Sequence, residues 1–243
     1  MSSEARPAFY ALRSGGWRDY VTLLHPPYTL WHLSYVAIGA GLAPRVDWPV
    51  LGLTLLAFLL AMGVGAHALD ELKGRPLQTQ IGVRTLVVLG AASIAAAAGI
   101  GVAVAIERDL WLLGFVGFGS FIVVAYNLEL FGGRFHTGLW FAVAWGGFPL
   151  LTGSFAVAER MRGDAVLAGV FATLLSLAQR VLSTPVRSVR RRVASVSGRV
   201  IYRDGSSEPI EADTLAAAPE RGLKLLAAAT VALAAAMLVH HLI

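Results

Sequence analysis

The sequence predicts an all-α integral membrane protein, a polytopic bundle of about seven transmembrane helices with a small cytoplasmic hairpin before the last helix. Of the 243 residues, 56% are hydrophobic and only 14% are charged, whereas a soluble domain carries about 25% charged residues. Non-alternating runs of about 20 apolar residues indicate spanning helices rather than the strands of a membrane barrel. The sequence contains no cysteine, which excludes disulfides, thiolate-bound iron–sulfur clusters and thiol nucleophiles.

Seven apolar segments are candidates for spans. They cover residues 27–44, 48–70, 82–106, 110–128, 138–158, 164–183 and 221–242. The third contains Gly99 and Gly101, and the fourth contains Gly114, Gly117 and Gly119; small residues of this kind let neighbouring helices approach closely. The first 20 residues lack the apolar core and cleavage site of a secretory signal, so we expect the first segment to stay in the membrane.

The pattern divides the chain into three parts. Residues 1–183 form a six-helix membrane core, residues 184–219 a polar connection, and residues 220–243 a C-terminal transmembrane helix. A basic cluster over residues 187–192 follows the sixth segment directly, where anionic phospholipid headgroups would attract it.

The polar connection favours a β-hairpin, with disorder as the alternative. Residues 196–202 are rich in β-formers, and Asp204-Gly205 is a turn signal. Pro219 and Glu220 suit the first turn of a helix, so we expect the last helix to begin there.

The basic residues predict the orientation. Sixteen of the 20 Lys and Arg residues fall on the side that contains the N-terminus, and four fall on the other side. The positive-inside rule therefore predicts a cytoplasmic N-terminus and, with seven spans, a C-terminus on the opposite side. The net charge of +5 then reflects topology and contact with anionic lipid, so we expect no nucleic-acid partner.

Ionisable residues gather at the predicted cytoplasmic ends of the spans, where they are costly and usually functional. His67, Asp70 and Glu71 close the second segment at helical spacing, and Glu129 and His136 follow the fourth. Carboxylates together with histidine suit a divalent metal. Oxygen ligands favour magnesium, and added imidazole shifts the preference toward iron, manganese or zinc.

A second set of polar residues suits an anionic ligand, because guanidinium groups donate bidentate hydrogen bonds to phosphate. The candidate substrate-binding residues are Lys73, Arg75, Asn127, Arg134, Gln179 and Arg180. We expect a pocket that opens to the cytoplasm and holds a lipid with an anionic head. In the alternative readings Lys73 and Arg75 only set topology, His25 is an interfacial residue, and His32 is a packing residue.

At these residues the chain resembles the UbiA superfamily of intramembrane prenyltransferases. Residues 66–70 (Ala-His-Ala-Leu-Asp) stand in the place of that family's Asn-Asp-x-x-Asp motif, and Arg75-Pro76 follows as its Arg-Pro pair does. Residues 126–129 (Tyr-Asn-Leu-Glu), with Arg134 after them, look like the family's tyrosine-and-basic segment. The resemblance covers roughly residues 20–185.

The resemblance implies transfer of an isoprenyl chain from a diphosphate to an acceptor, with magnesium drawing the diphosphate away. It implies that Asp70 holds magnesium, Arg134 holds the diphosphate and Tyr126 lies beside the reacting carbon, with Asp70, His67 and Tyr126 as the catalytic residues. His67 stands where that family has an aspartate, and no second aspartate-rich motif follows the sixth segment.

Two other functions stay open. One is a metal-dependent membrane oxidoreductase or hydrolase that uses a cluster of histidine and carboxylate side chains; its candidate residues are His25, His67, Asp70, Glu71, Glu129 and His136. The other is a non-catalytic lipid-binding or transport protein in which the polar cluster only recognises a head group.

Overall fold

In the computed structural model, which describes residues 7–242, seven long helices form a bundle. The elements in chain order are α1 (Trp17–Leu23), α2 (Pro26–Gly41), α3 (Trp48–Leu72), α4 (Val83–Glu107), α5 (Leu112–Asn127), α6 (Gly138–Ala158), α7 (Gly163–Arg192), β1 (Arg199–Ile201), β2 (Ser207–Pro209) and α8 (Ala212–His240). A short turn, Leu130–Gly133, with left-handed backbone at Phe131 and Gly132, lies between α5 and α6. Arg6, one of the predicted cytoplasmic cations, lies outside the described residues.

Five of the helices, α3, α4, α6, α7 and α8, are long and apolar enough to cross a membrane. The prediction of a helical integral membrane protein is therefore confirmed. Helices α2 and α5 have 16 residues each. At 1.5 Å per residue they are about 24 Å long, which is shorter than the bilayer's apolar core of about 30 Å. The predicted seven spans thus correspond to five full-length helices and two shorter ones.

Helix α7 is longer than predicted. The sixth segment was expected to end at residue 183, but the helix continues through Pro185 to Arg192. Its last turns are tied to α8, because the Arg190 guanidinium forms ion pairs with Asp213 and Glu220 at 2.9 Å each. These tertiary contacts outweigh the helix-breaking tendency of proline.

The prediction that Pro219 begins the last helix is wrong. Helix α8 starts at Ala212 and contains Pro219 in its interior. Reciprocal bonds between Glu211 and Thr214, a capping box, satisfy the exposed backbone groups of its first turn. The predicted hairpin is confirmed, with β1 and β2 paired antiparallel across a turn that contains Asp204 and Gly205.

Backbones approach most closely where α6 crosses α2 and α7. A Cβ added to Gly39 would lie 1.9 Å from the Leu150 carbonyl oxygen, and one added to Gly153 would lie 2.3 Å from that of Val36. On the other side of α6, a Cβ on Gly146 would lie 2.4 Å from the Ala172 oxygen. Only glycine permits these contacts, so these small residues set the helix spacing.

The glycines singled out from sequence serve this purpose only in part. A Cβ on Gly101 would meet Val116 at 2.6 Å, so Gly101 does lie at a helix contact. Gly99, Gly114 and Gly117 have nothing within 4 Å of such a Cβ, and they face open space.

Candidate functional site

A polar cavity of about 320 Å³ lies at the end of the bundle where α2 begins and α3 ends. Its volume is in the range of small-molecule sites. The structure brings eight of the predicted site residues to its wall from four separate parts of the chain. They are His67, Asp70, Lys73, Tyr126, Asn127, His136, Gln179 and Arg180.

Glu71 and Arg75 do not face this cavity. The Glu71 carboxylate is fully buried and accepts hydrogen bonds from the Leu77 amide, the Thr79 amide and the Thr79 hydroxyl at 2.8–3.0 Å. Arg75 Nη1 donates to the carbonyl oxygens of Thr79 and Ile81 at 2.9 Å each. Both side chains therefore hold the loop between α3 and α4 in shape.

Glu129 and Arg134 also lie away from the cavity. Glu129 is exposed and pairs with Lys73 at 2.7 Å, and the hydrogen bond from Lys73 lowers the pKa of its carboxyl group. Arg134 is exposed. The chain leaves α5 through left-handed backbone at Glu129 (φ 51°) and Phe131 (φ 55°).

One wall of the cavity is cationic. Arg180, Arg187 and Arg191 all line it from α7, and their spacing of seven and eleven residues places them on one helix face. Arg180 Nη1 donates to the Tyr126 hydroxyl at 3.0 Å, and Arg191 Nε donates to the Pro7 carbonyl oxygen at 3.2 Å. Sequence reasoning missed the cavity role of Arg187 and Arg191 because it ended the helix at 183; the spacing from Arg180 is the signal that could have found them.

Imidazoles form another part of the wall. The rings of His25 and His67 have centroids 3.9 Å apart. His67 Nδ1 donates to the Gly63 carbonyl at 3.0 Å, and His136 Nδ1 donates to the Tyr126 carbonyl at 3.0 Å. Since a carbonyl only accepts, the neutral forms of both rings leave Nε2 as an acceptor. Burial, then His67 and the nearby guanidiniums, lowers the pKa of His25 well below its ordinary value, so this ring is neutral at pH 7.

Two carbonyl groups that bind histidines of the cavity lie in π-helical stretches, one in α3 and one in α6. Gly63 belongs to the stretch Leu59–Ala66, immediately before His67. Trp145 belongs to the stretch Val143–Gly147, and its carbonyl accepts from His32 Nδ1 at 2.7 Å. Such wider turns occur frequently at functional sites, and here both supply carbonyl oxygens that orient histidines of the cavity.

The N-terminal segment covers part of the cavity, which sequence reasoning did not anticipate. Residues 7–10 line it, and the Tyr10 ring contacts those of His25 and Tyr28 at 5.2 and 5.6 Å. Burial, and to a lesser degree Tyr28, raises the pKa of Tyr10. The adjacent aromatic pair Phe9-Tyr10 in an otherwise polar segment is the signal that could have revealed this contact.

The donors present do not fit a divalent metal ion. Within residues 7–242, no group of three or more histidine or carboxylate side chains is arranged to hold one. Among the described lining residues Asp70 is the single carboxylate, and it shares the cavity with three guanidiniums and Lys73. Of the predicted ligands, Glu71 and Glu129 point elsewhere. An excess of guanidinium groups suits an anion instead.

A smaller apolar cleft adjoins the polar cavity. It has a volume of about 100 Å³ and lies between α3, α4, α5 and α6. Trp145 lines both spaces; on α3, Met62 lines the cleft and Ala66, one turn later, lines the cavity. The two spaces together offer a cationic compartment for a head group and a hydrocarbon-lined compartment for a chain.

Comparison of the chain with models of protein families, with curated proteins and with solved structures gives no match in any of the three. The function is therefore argued from the residues of the site.

Proposed function

We propose that this integral membrane protein is an enzyme that acts on an isoprenoid or similar lipid with a phosphate or diphosphate head. The observation that carries the proposal is a pair of neighbouring spaces, a cavity lined by Arg180, Arg187 and Arg191 and an apolar cleft that shares Trp145 with it. The head would lie among the guanidiniums, and the part of the chain next to the head would lie in the cleft.

Guanidinium groups would bind the head and stabilise its departure. A planar guanidinium donates paired, charge-assisted hydrogen bonds to phosphate oxygens. When the carbon–oxygen bond of a prenyl diphosphate breaks, the diphosphate keeps the electron pair, and the three arginines lie where they can stabilise that charge. No step of this proposal passes through the magnesium that the resemblance implies, because the described lining residues do not assemble a ligand set for a divalent metal.

Aromatic rings would stabilise the allylic cation that remains. Tyr126 packs against His136 and Trp145 with ring centroids 4.4 and 4.6 Å away, and an aromatic face attracts positive charge. The acceptor then bonds to the cation and loses a proton to a base. Asp70 and His67, both on the cavity wall, are the candidates for that base.

The proposed orientation places the cavity on the cytoplasmic side. His241 Nε2 lies 2.9 Å from the Gly41 carbonyl oxygen, at the end of α2 opposite His25, so the C-terminal end of α8 lies far from the cavity. The excess of Lys and Arg in the connections at the cavity end then meets the cytoplasm and anionic phospholipid headgroups.

Binding and turnover of geranylgeranyl diphosphate by the purified protein in nanodiscs test the proposal. We expect Arg180→Gln to weaken binding by about tenfold or more, since hydrogen bonds to charged groups contribute roughly 1.5–3 kcal/mol. Arg84→Gln, an exposed change at the start of α4, is the matched control. Equal binding of geranylgeraniol and its diphosphate would refute the proposal, and loss of binding in EDTA would restore a role for metal.

A non-catalytic lipid-binding protein is the second candidate, favoured by the lack of a converging metal-ligand set within residues 7–242. Asp70→Asn separates the two functions. If the protein is an enzyme and Asp70 is its base, the variant should no longer form the prenylated acceptor, while lipid binding stays intact. A binding protein forms no such product even before substitution. The metal-dependent oxidoreductase or hydrolase needs a cluster that the described residues do not assemble.

A further inference from the structure

We infer that residues 7–10, here called the N-terminal strap, form a lid on the polar cavity, and that an anion bound in the cavity opens this lid by taking its latch, the Arg191 guanidinium. The inference rests on the anion binding of the proposed function and adds a regulatory step to it. It assigns a role to a segment that the proposed chemistry does not use.

The N-terminal strap forms one wall of the cavity, since all four of its residues line that space. Its two aromatic rings pack against the start of α2. The Phe9 and Tyr28 rings have centroids 6.2 Å apart, and the Tyr10 and His25 rings have centroids 5.2 Å apart. Movement of the strap away from α2 would therefore open the cavity on this side.

The strap is held less firmly than the chain that follows it. The Leu12 amide donates to the Thr22 hydroxyl at 3.0 Å and so fixes the next residues to α1. Within the described part of the chain, the bond from Arg191 Nε to the Pro7 carbonyl oxygen, at 3.2 Å, is the one hydrogen bond that ties the strap to another element. The four strap residues are half-buried. Segments with few hydrogen bonds and partly exposed side chains open locally at low cost in free energy, so the strap can move while α1 stays in place.

Arg191 is both the latch of the lid and a part of the anion site. Its guanidinium lines the cavity together with those of Arg180 and Arg187. A phosphate attracts a guanidinium by charge and accepts two parallel N–H bonds from it, whereas Pro7 offers one neutral oxygen. An anion that binds the Nε edge of Arg191 therefore displaces the Pro7 carbonyl, and the strap loses its latch.

A second cation holds the strap from α8. The Lys224 ammonium lies 4.8 Å from the centroid of the Phe9 ring, and a cation over an aromatic face is attracted to it. Lys224 is not among the lining residues of the cavity. This contact therefore favours the closed lid without being part of the anion site, and it can be removed while the three arginines stay in place.

The mobility of a nitroxide spin label on residue 8 measures the state of the lid in the full chain in nanodiscs. The sequence contains no cysteine, so Ala8→Cys provides a single attachment site. Inorganic pyrophosphate is the probe, and sodium chloride of equal ionic strength is its control. We expect an immobile label in the resting protein and, with pyrophosphate, a rise of about tenfold in the ratio of mobile to immobile label, because a hydrogen bond to a charged group is lost. The same label on Arg13→Cys, an exposed position after the Leu12 anchor, should not respond.

Two variants separate the latch from the rest of the lid. Arg191→Gln should make the label on residue 8 mobile without pyrophosphate, and pyrophosphate should add nothing further. Arg192→Gln, the exposed neighbour, is the matched control and should behave as the wild type does. Phe9→Ala should raise the resting mobile fraction and keep the response to pyrophosphate, because it removes the contact with Lys224 and leaves Arg191 in place.

The outcomes distinguish the lid from the lipid site. A label that is fully mobile in the resting protein, a label that pyrophosphate leaves unchanged or immobilises further, or wild-type behaviour of Arg191→Gln would each overturn the inference. Geranylgeranyl diphosphate should open the lid as pyrophosphate does. If it binds and the lid stays closed with both ligands, the inference fails alone. If pyrophosphate opens the lid and geranylgeranyl diphosphate does not bind, the proposed function fails and the inference stands.

Discussion

Replacing Gly153 with alanine tests how the cavity is built. Gly153 lies on α6 where it crosses α2, and the added Cβ would stand 2.3 Å from the carbonyl oxygen of Val36 and 3.0 Å from its Cα and carbonyl carbon. All three atoms belong to the backbone of α2, so no side-chain rotation can relieve the overlap. The two helices must separate locally.

The magnitude follows from two opposing effects. Overpacking of a well-packed interior costs about 1–3 kcal/mol or more, and alanine regains up to about 1 kcal/mol of helix propensity over glycine. Because the overlap is with backbone atoms, which cannot rotate away, the upper end of the first range applies, and the expected loss is about 2 kcal/mol. For a chain of this length each kcal/mol shifts the melting temperature by roughly 2–4 °C, so we expect a decrease of about 4–8 °C.

Thermal unfolding of the purified protein in detergent measures this effect. Gly117→Ala is the matched control, because a Cβ at this helical position meets nothing within 4 Å; we expect its melting temperature to be unchanged or raised. Separation of α2 from α6 should also disturb the 2.7 Å contact from His32 to the Trp145 carbonyl and weaken lipid binding. Equal melting temperatures of the two variants would show that this crossing does not set the helix spacing.

Three further changes test the site and its surroundings. Glu71→Gln should lower the free energy of unfolding by about 1–3 kcal/mol. In the wild type the Leu77 N–H donates to the Glu71 carboxylate at 3.0 Å, and the new amide would turn a second donor toward it. A variant with the wild-type free energy of unfolding would contradict the structural role of Glu71. Lys73→Met should leave the melting temperature unchanged, because the ion pair between Lys73 and Glu129 is exposed and contributes little to stability. A clear decrease in the melting temperature would show that this ion pair does stabilise the fold. Burial lowers the pKa of His25 in the folded protein. Below pH about 6.5 the unfolded chain therefore binds a proton that the folded chain does not, and the free energy of unfolding decreases as the pH is lowered. His25→Gln should flatten part of that dependence, and overlapping pH profiles would show that His25 does not contribute.

The apolar helices were predictable because hydrophobicity is a local property of the chain. The predicted segment 138–158 coincides with α6, and 48–70 lies within α3. The hairpin followed from the Asp204-Gly205 turn for the same reason. The end of α7 was not predictable, since the ion pairs of Arg190 that hold it come from α8.

The candidate site was predictable in part. Asp70 and Glu71 are adjacent in sequence, yet one lines the cavity and the other holds a loop. Successive residues on a helix point about 100° apart, so the rotation of α3 in the bundle decides which of the two faces inward. The contribution of residues 7–10 depends in turn on a contact with Arg191, more than 180 positions along the chain.

The sequence by itself determined that this protein resides in a membrane, where its apolar helices lie and that a hairpin precedes the last one, because apolar runs and turn chemistry act over a few residues. Only the tertiary structure decided which charged and polar side chains share a cavity. That choice depends on how each helix is rotated and on how closely the backbones approach at Gly39 and Gly153, and both are set by packing between segments far apart in the chain.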